Sequence, residues 1–100
     1  MLHLIMIKSF KDEWLSAYYW EAIHSKEIPS GIESALNRKL TIIHAAFEEK
    51  DLRCPPGNRF EHLKGNLNGW CSIRVNKQYR LIFKWADGKA TELYLDPHNY

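Results

Sequence analysis

From residue 55 to residue 85 the chain is punctuated by glycine and asparagine, and the runs between them alternate apolar and polar side chains. A period of two describes a strand with one buried face. Residues 70–75 place Cys71, Ile73 and Val75 on one side and Trp70, Ser72 and Arg74 on the other. Residues 79–85 repeat the pattern, with Leu81 and Phe83 opposed to Arg80, Ile82 and Lys84. Asn76-Lys77 between them predicts a tight hairpin turn, and Asp87-Gly88 a second one leading into a last strand over residues 90–95. Upstream, residues 59–63 suit a short strand and residues 65–69 the turn that follows it. Pro55-Pro56-Gly57 makes residues 51–58 a loop, because two prolines in a row cannot donate to a sheet ladder. An antiparallel meander is therefore the frame on which everything else must be arranged.

The first half of the chain supplies its cover. Residues 2–10 are apolar and β-branched enough for a first strand, with Met6 as an alternative start to Met1. Lys11-Asp12-Glu13 opens a helix, its acids suited to the positive end of the helix dipole, and Trp14, Leu15, Tyr18, Tyr19 and Ala22 recur at helical spacing. Pro29 and Gly31 break that pattern. Ser30, with Glu33 three residues on, predicts a capping box for a second helix whose apolar stripe is Ile32, Leu36, Leu40, Ile43 and Phe47, with His44 beside it. The expected fold is α+β, a single domain over residues 1–100 in the order β-α-α-β-β-β-β. Two consecutive helices must bury their stripes on one face of the sheet. The opposite face is then left uncovered, presenting Arg74, Arg80 and Lys84.

Charge sharpens that expectation. Residues 55–85 carry six cations (Arg59, Lys64, Arg74, Lys77, Arg80, Lys84) against Glu61 alone. Residues 1–50 hold six Lys/Arg and seven Asp/Glu, whereas residues 51–100 hold eight and five, so the two halves differ by four charges. A cationic sheet face is suited to an anionic, phosphate-rich partner; the plain alternative is a solvated basic surface. Two cysteines, Cys54 and Cys71, lack metal-ligand spacing and are too few for a disulfide scaffold. The apolar start stops at Lys8 without a cleavage site, and no stretch is long enough to cross a bilayer. These features point to a cytoplasmic protein with no membrane partner.

No metal motif, Gly-rich phosphate loop, dinucleotide fingerprint or paired nucleophile and base is present, so no cofactor is expected. What remains is a set of acid–base groups beside fixed cations: Glu61, His62, Lys64, Arg80, Asp96, His98 and Tyr100. That set fits metal-independent RNA cleavage, because RNA carries its own nucleophile in the 2′-hydroxyl. The protein need only take that proton, protonate the leaving 5′-oxygen, and stabilise the phosphorane with cations. Tyr79 or Trp70 could stack a splayed base. Residue types alone do not separate such an enzyme from a sheet that merely binds nucleic acid.

At these same residues the chain resembles a known family. PPGNR followed by LKG, GWCSIRVN and YRLIF, together with MIKSF at residues 6–10 and YLDPHNY at residues 94–100, is similar to HigB-type toxins of the RelE/ParE superfamily. The resemblance covers nearly the whole chain and is densest over residues 52–100. It implies a type II toxin–antitoxin toxin with a small antiparallel sheet packed on two helices. Members of that family are mRNA endonucleases acting in the ribosomal A site. They are neutralised by a helix-turn-helix antitoxin, HigA, and reach operator DNA through it. The resemblance makes Lys64 and Arg80 the cations that balance phosphate charge, and assigns His62, Asp96 and His98 to catalysis. Arg59, Arg74, Tyr79, Lys84 and Tyr100 are then expected to contact RNA. Many members carry His in an HPLKG run; here the run is EHLKG, so Glu61 occupies the matching slot and His62 lies one residue closer. One residue on a strand exchanges faces. Either Glu61 takes the active-site direction, or the strand is irregular and His62 does, the choice that acid–base chemistry favours. Many members end in Asp-Tyr-His; here the end is Asp-Pro-His-Asn-Tyr, which leaves the general base open among Glu61, His62, Asp96 and His98.

A different class of function shares this fold. A ParE-like protein poisons DNA gyrase by binding it, without catalysis, and a scaffold that only binds RNA or antitoxin is a third possibility. The acid–base residues near the C-terminus favour cleavage, since a gyrase poison has no need of His62 or His98.

Overall fold

The computed structural model describes residues 7–97. Three helices precede a four-stranded antiparallel sheet: α1 (Glu13–Glu21), α2 (Glu33–Ala45), a single turn α3 (Glu49–Leu52), then β1 (Glu61–His62), β2 (Cys71–Arg74), β3 (Tyr79–Ala86) and β4 (Lys89–Pro97). The strands lie side by side in chain order, as a meander must. The α+β architecture expected from the sequence is the one formed.

The alternation of β2 and β3 builds the core. Cys71, Ile73, Leu81 and Phe83 are buried with Leu93 of β4, against Leu15 of α1 and Leu36, Leu40 and Ile43 of α2. Leu40 is fully buried at the centre of the α2 stripe. Leu40→Ala is expected to lower the unfolding free energy by about 2–5 kcal/mol through lost burial and the cavity left behind. Urea denaturation should show a lower midpoint at an unchanged slope. Cys71 behaves as a small core residue: burial, and then the Glu49 charge, push its thiol up to about 12.

Several local expectations are corrected. Of the first strand, residues 2–6 lie outside the described residues. The remainder makes only two isolated parallel bridges to β4, Ile7 to Ala90 and Phe10 to Leu93. The cause is in β4. Its register against β3 shifts between Ile82 and Lys84, and Glu92 there takes a left-handed φ of 54°. The extra residue lets Ala90 and Leu93, three apart, both face the core. Ser9 bridges the irregularity: its hydroxyl accepts the Glu92 N–H at 2.9 Å and its carbonyl the Leu93 N–H at 3.1 Å.

The capping box of Ser30 and Glu33 does not form. Pro29, Ser30 and Gly31 make a turn instead, so that Ile32 is the N-cap and no side chain caps α2. Glu33 accepts a hydrogen bond from the Tyr18 hydroxyl at 3.2 Å, tying α2 to α1. A side-chain cap appears at α3, where the Asp51 carboxylate accepts the N–H groups of Phe47 and Glu48, both at 3.0 Å. Those two bonds, Glu48 first, hold the Asp51 carboxyl below its usual range. Phe47 leaves the apolar stripe because Ala46 is already extended, with ψ 134°, and the Phe47 ring is exposed. The expected loop over residues 51–58 contains the end of α3 and a short 3-10 turn, Pro56–Asn58.

The face turned away from the helices is not bare either. Ile82, expected in the open beside Arg80 and Lys84, is fully buried. It lies in one row with Ser72 and Tyr94, and the Trp70 ring meets Tyr94 edge-on at 5.7 Å. Lys84 sits 4.9 Å over Trp70 and Lys11 4.6 Å over Tyr94. Rings and ammonium groups thus roof half of this face. The other half is open, and it holds the groove.

Candidate active site

The open half of the sheet face is set by register. Arg74 of β2 stands opposite Arg80 of β3, and Arg80 opposite Asp96 of β4. In the neighbouring row Glu61 of β1 stands opposite Ser72. Arg80 is the hub. One terminal nitrogen is 3.6 Å from a Glu61 oxygen, and Nε is 3.5 Å from an Asp96 oxygen. Its side chain is 17% exposed, and Nε is buried without a hydrogen bond. Two guanidinium groups directly opposed repel; the flanking carboxylates offset this without saturating the five Arg80 donors.

Around this hub opens a groove of about 440 Å³, lined by Arg59, Glu61, Arg74, Lys77, Gln78 and Arg80 among others. Four of those six are cations. The β2–β3 turn builds one wall. The Asn76 side chain accepts the N–H groups of Gln78 (2.9 Å) and Tyr79 (2.8 Å), while the Asn76 carbonyl accepts from Arg74 Nε at 3.0 Å. The Asn76 side chain fills the inside of the turn, and the loop spans residues 75–78 rather than the two residues expected. The longer loop brings Lys77 and Gln78 to the groove. On the other wall Arg59 follows the Pro56–Asn58 turn in a left-handed conformation, with φ 46° and ψ 49°.

The sequence-derived candidates divide across this geometry. Arg59, Arg74 and Arg80 line the groove together, and Asp96 is tied to them through its ion pair with Arg80 without lining the groove itself. His62 does not join them. It pairs with Cys71 on the helix-facing side of β1, and its Nε2 is 2.9 Å from Glu49 of α3, with its ring edge-on to Phe60 at 5.2 Å. The strand is regular, so the one-residue displacement stands and Glu61 takes the groove direction. Glu49 is shared with Arg53 at 2.8 Å. That hydrogen bond is the larger cause holding its carboxyl low, and His62 adds to it. Lys64 is exposed where the chain leaves β1 and does not line the groove. Tyr79 packs against the core, as its alternation with Arg80 requires, and also lines the groove. Lys84 is engaged by Glu92 at 3.0 Å. His98 and Tyr100 lie outside the described residues.

The arrangement has defined chemical capacity. A phosphodiester entering the groove would meet Arg74 and Arg80 side by side, and guanidinium forks match phosphate oxygens in pairs. The carboxylates of Glu61, in the groove, and Asp96, on the other flank of Arg80, can each accept a hydroxyl proton. The residues missed from sequence are Gln78 and the buried Lys39–Asn58 pair behind the Arg59 turn. Lys39 carried a readable signal: with Leu36, Leu40 and Ile43 it completes a helical i, i+3, i+4, i+7 set.

Comparison with known proteins bears on the family and the fold. Residues 8–98 match the model of a family described as RelE-like toxin of type II toxin-antitoxin system HigB. Toxin HigB-1 of Vibrio cholerae is 64% identical over 95% of this chain and 100% of its own length. The Endoribonuclease HigB of Proteus vulgaris is 32% identical over 93% of this chain and all of its own. A YoeB/ParE toxin from Agrobacterium tumefaciens shares the fold, with a TM-score of 0.50 and 14% identity over 96% of this chain and 100% of that one. The chain thus belongs to the HigB family of RelE-like type II toxins.

Proposed function

We propose that this toxin is a metal-independent endoribonuclease that cuts mRNA on the ribosome. The observation that carries the reading is Arg80, held between Glu61 and Asp96 beside Arg74 in an open groove. The endoribonuclease named in Proteus vulgaris supports it at the level of the family. In the proposed reaction the RNA 2′-hydroxyl attacks the adjacent phosphorus as Glu61 or Asp96 takes its proton. Arg80 and Arg74 hold the non-bridging oxygens as charge builds on the phosphorane. The 5′-oxygen leaves with a proton, and a 2′,3′-cyclic phosphate remains. His98 is proposed as the donor of that proton, Tyr100 as a further RNA contact, and Lys64 and Lys84 as contacts along the RNA outside the groove.

The substrate is proposed to be mRNA in the ribosomal A site, and the neutralising partner a HigA-type helix-turn-helix antitoxin through which the pair reaches operator DNA. Among the described residues no helix is long and apolar enough to cross a membrane, and the proposed place of action is the cytoplasm.

Expression without an antitoxin is expected to arrest growth and to truncate transcripts inside reading frames, as read by primer extension. Intact transcripts accompanied by gyrase-linked double-strand breaks would replace this function with that of a gyrase poison.

A further inference from the structure

Lys39 occupies a core-facing position of α2 that an apolar side chain would fill. It is 6% exposed and stands between Leu36, Leu40 and Ile43 on the buried stripe. Its Nζ donates to the side-chain oxygen of Asn58, which is fully buried. Among the described residues no carboxylate is paired with it. Burying an ammonium group against a neutral amide is costly, and burial, with Arg38 nearby, lowers the Lys39 pKa. Packing alone therefore gives no reason for a lysine here.

The bond has a structural object. The Asn58 amide donates to the carbonyls of Leu52 at 3.0 Å and Cys54 at 3.2 Å, closing the loop on itself. The Asn58 N–H reaches the Pro55 carbonyl at 2.9 Å and the Arg59 N–H the Pro56 carbonyl at 3.1 Å. The product is the left-handed turn at Arg59. A side-chain-bearing residue adopts that conformation reluctantly, and here it delivers Arg59 to the groove beside Glu61 and Arg80.

We propose that Lys39 is a positioning residue for RNA binding: through Asn58 it fixes the turn that holds Arg59 in the groove. The proposal rests on the groove being the RNA site. Its probe is a short single-stranded RNA methylated at every 2′-oxygen, which cannot be cut by 2′ attack. Affinity is measured by fluorescence anisotropy across a salt series. Arg59→Ala is expected to weaken binding about tenfold and to reduce the slope of log affinity on log salt by ~0.7, the share of one phosphate on a single strand. Lys39→Met is expected to reproduce both changes. The double variant should bind within about twofold of Arg59→Ala, because residues acting through one another are not additive.

Lys39→Met binding as the parent does, or effects that multiply in the double variant, overturns the proposal. If Lys39→Met does not fold, Asn58→Asp is read the same way, since it keeps an acceptor for Lys39 and loses both amide donors. Hydrogen exchange on the unmodified protein is a second readout. The Asn58 and Arg59 amides should be protected like those of α2, and exchange as fast as at Lys77 overturns the proposal. If none of Arg59→Ala, Arg74→Ala and Arg80→Ala weakens binding, the RNA reading of the groove itself has failed. If only Lys39→Met is silent, this inference alone has.

Discussion

Arg80→Ala is expected to lower RNA cleavage by about 10²–10³-fold, the loss typical when a preorganised group facing developing charge is removed. The protein should stay folded. Arg80 lies on the face away from the main core, its ion pairs to Glu61 and Asp96 are 3.6 and 3.5 Å long, and Nε makes no hydrogen bond. Removing it also relieves the repulsion with Arg74 directly across the ladder. Thermal unfolding should therefore move by only a few degrees while single-turnover cleavage collapses. Arg80→Lys should recover only part of the rate, because an ammonium group cannot span two phosphate oxygens as a guanidinium does. Cleavage within about threefold of the parent in Arg80→Ala would remove Arg80 from the mechanism and the hub from the groove.

That prediction rests on a residue readable from sequence, and the reason is physical. Arg80 interrupts an apolar strand, and strand period alone puts it opposite Leu81 and Phe83, which the helices bury. The α2 stripe was legible on the same ground up to Ile43. What could not be read is whatever depends on a partner distant in sequence. Ile82 shares the Arg80 face by alternation, yet Tyr94 beside it and Trp70 edge-on to Tyr94 close that part of the sheet. The bulge at Glu92 shifts the register of β4 and answers to contacts with Ser9 more than eighty residues away. Phe47 fits the helical period, but a period does not say where a helix stops, and the Asp51 cap begins the next helix instead. Lys39 is hard to read because a lysine does not register as core, although its position in the stripe marks it.

The direction of β1 is the most consequential of these cases, because it decides which residue faces the groove. Glu61→Gln is expected to reduce single-turnover cleavage by about 10²–10⁴-fold, the range for losing a general base, and His62→Ala by less than about tenfold. Only two residues form β1, but both are in register with β2, Glu61 with Ser72 and His62 with Cys71. Ser72 lies on the groove face and Cys71 on the core face, so the two side chains are committed to opposite sides. Glu61 stands 3.6 Å from Arg80, so in the proposed reaction a phosphate held by Arg80 would bring the attacking ribose 2′-hydroxyl near this carboxylate. The glutamine substitution keeps volume and an acceptor oxygen while removing the charge proposed to take the proton. His62 is bound on the far side by Glu49, and Glu49 keeps Arg53 when His62 is gone, so α3 retains a partner. Asp96 is the competing base on the other flank of Arg80. If Asp96→Asn is silent while Glu61→Gln is not, the base is Glu61; the reverse moves it to β4 without disturbing the hub. A His62→Ala protein as inactive as Glu61→Gln, with its fold intact, would mean that β1 turns over when RNA binds. The groove described around Arg80 would then be the resting form of the site rather than the working one.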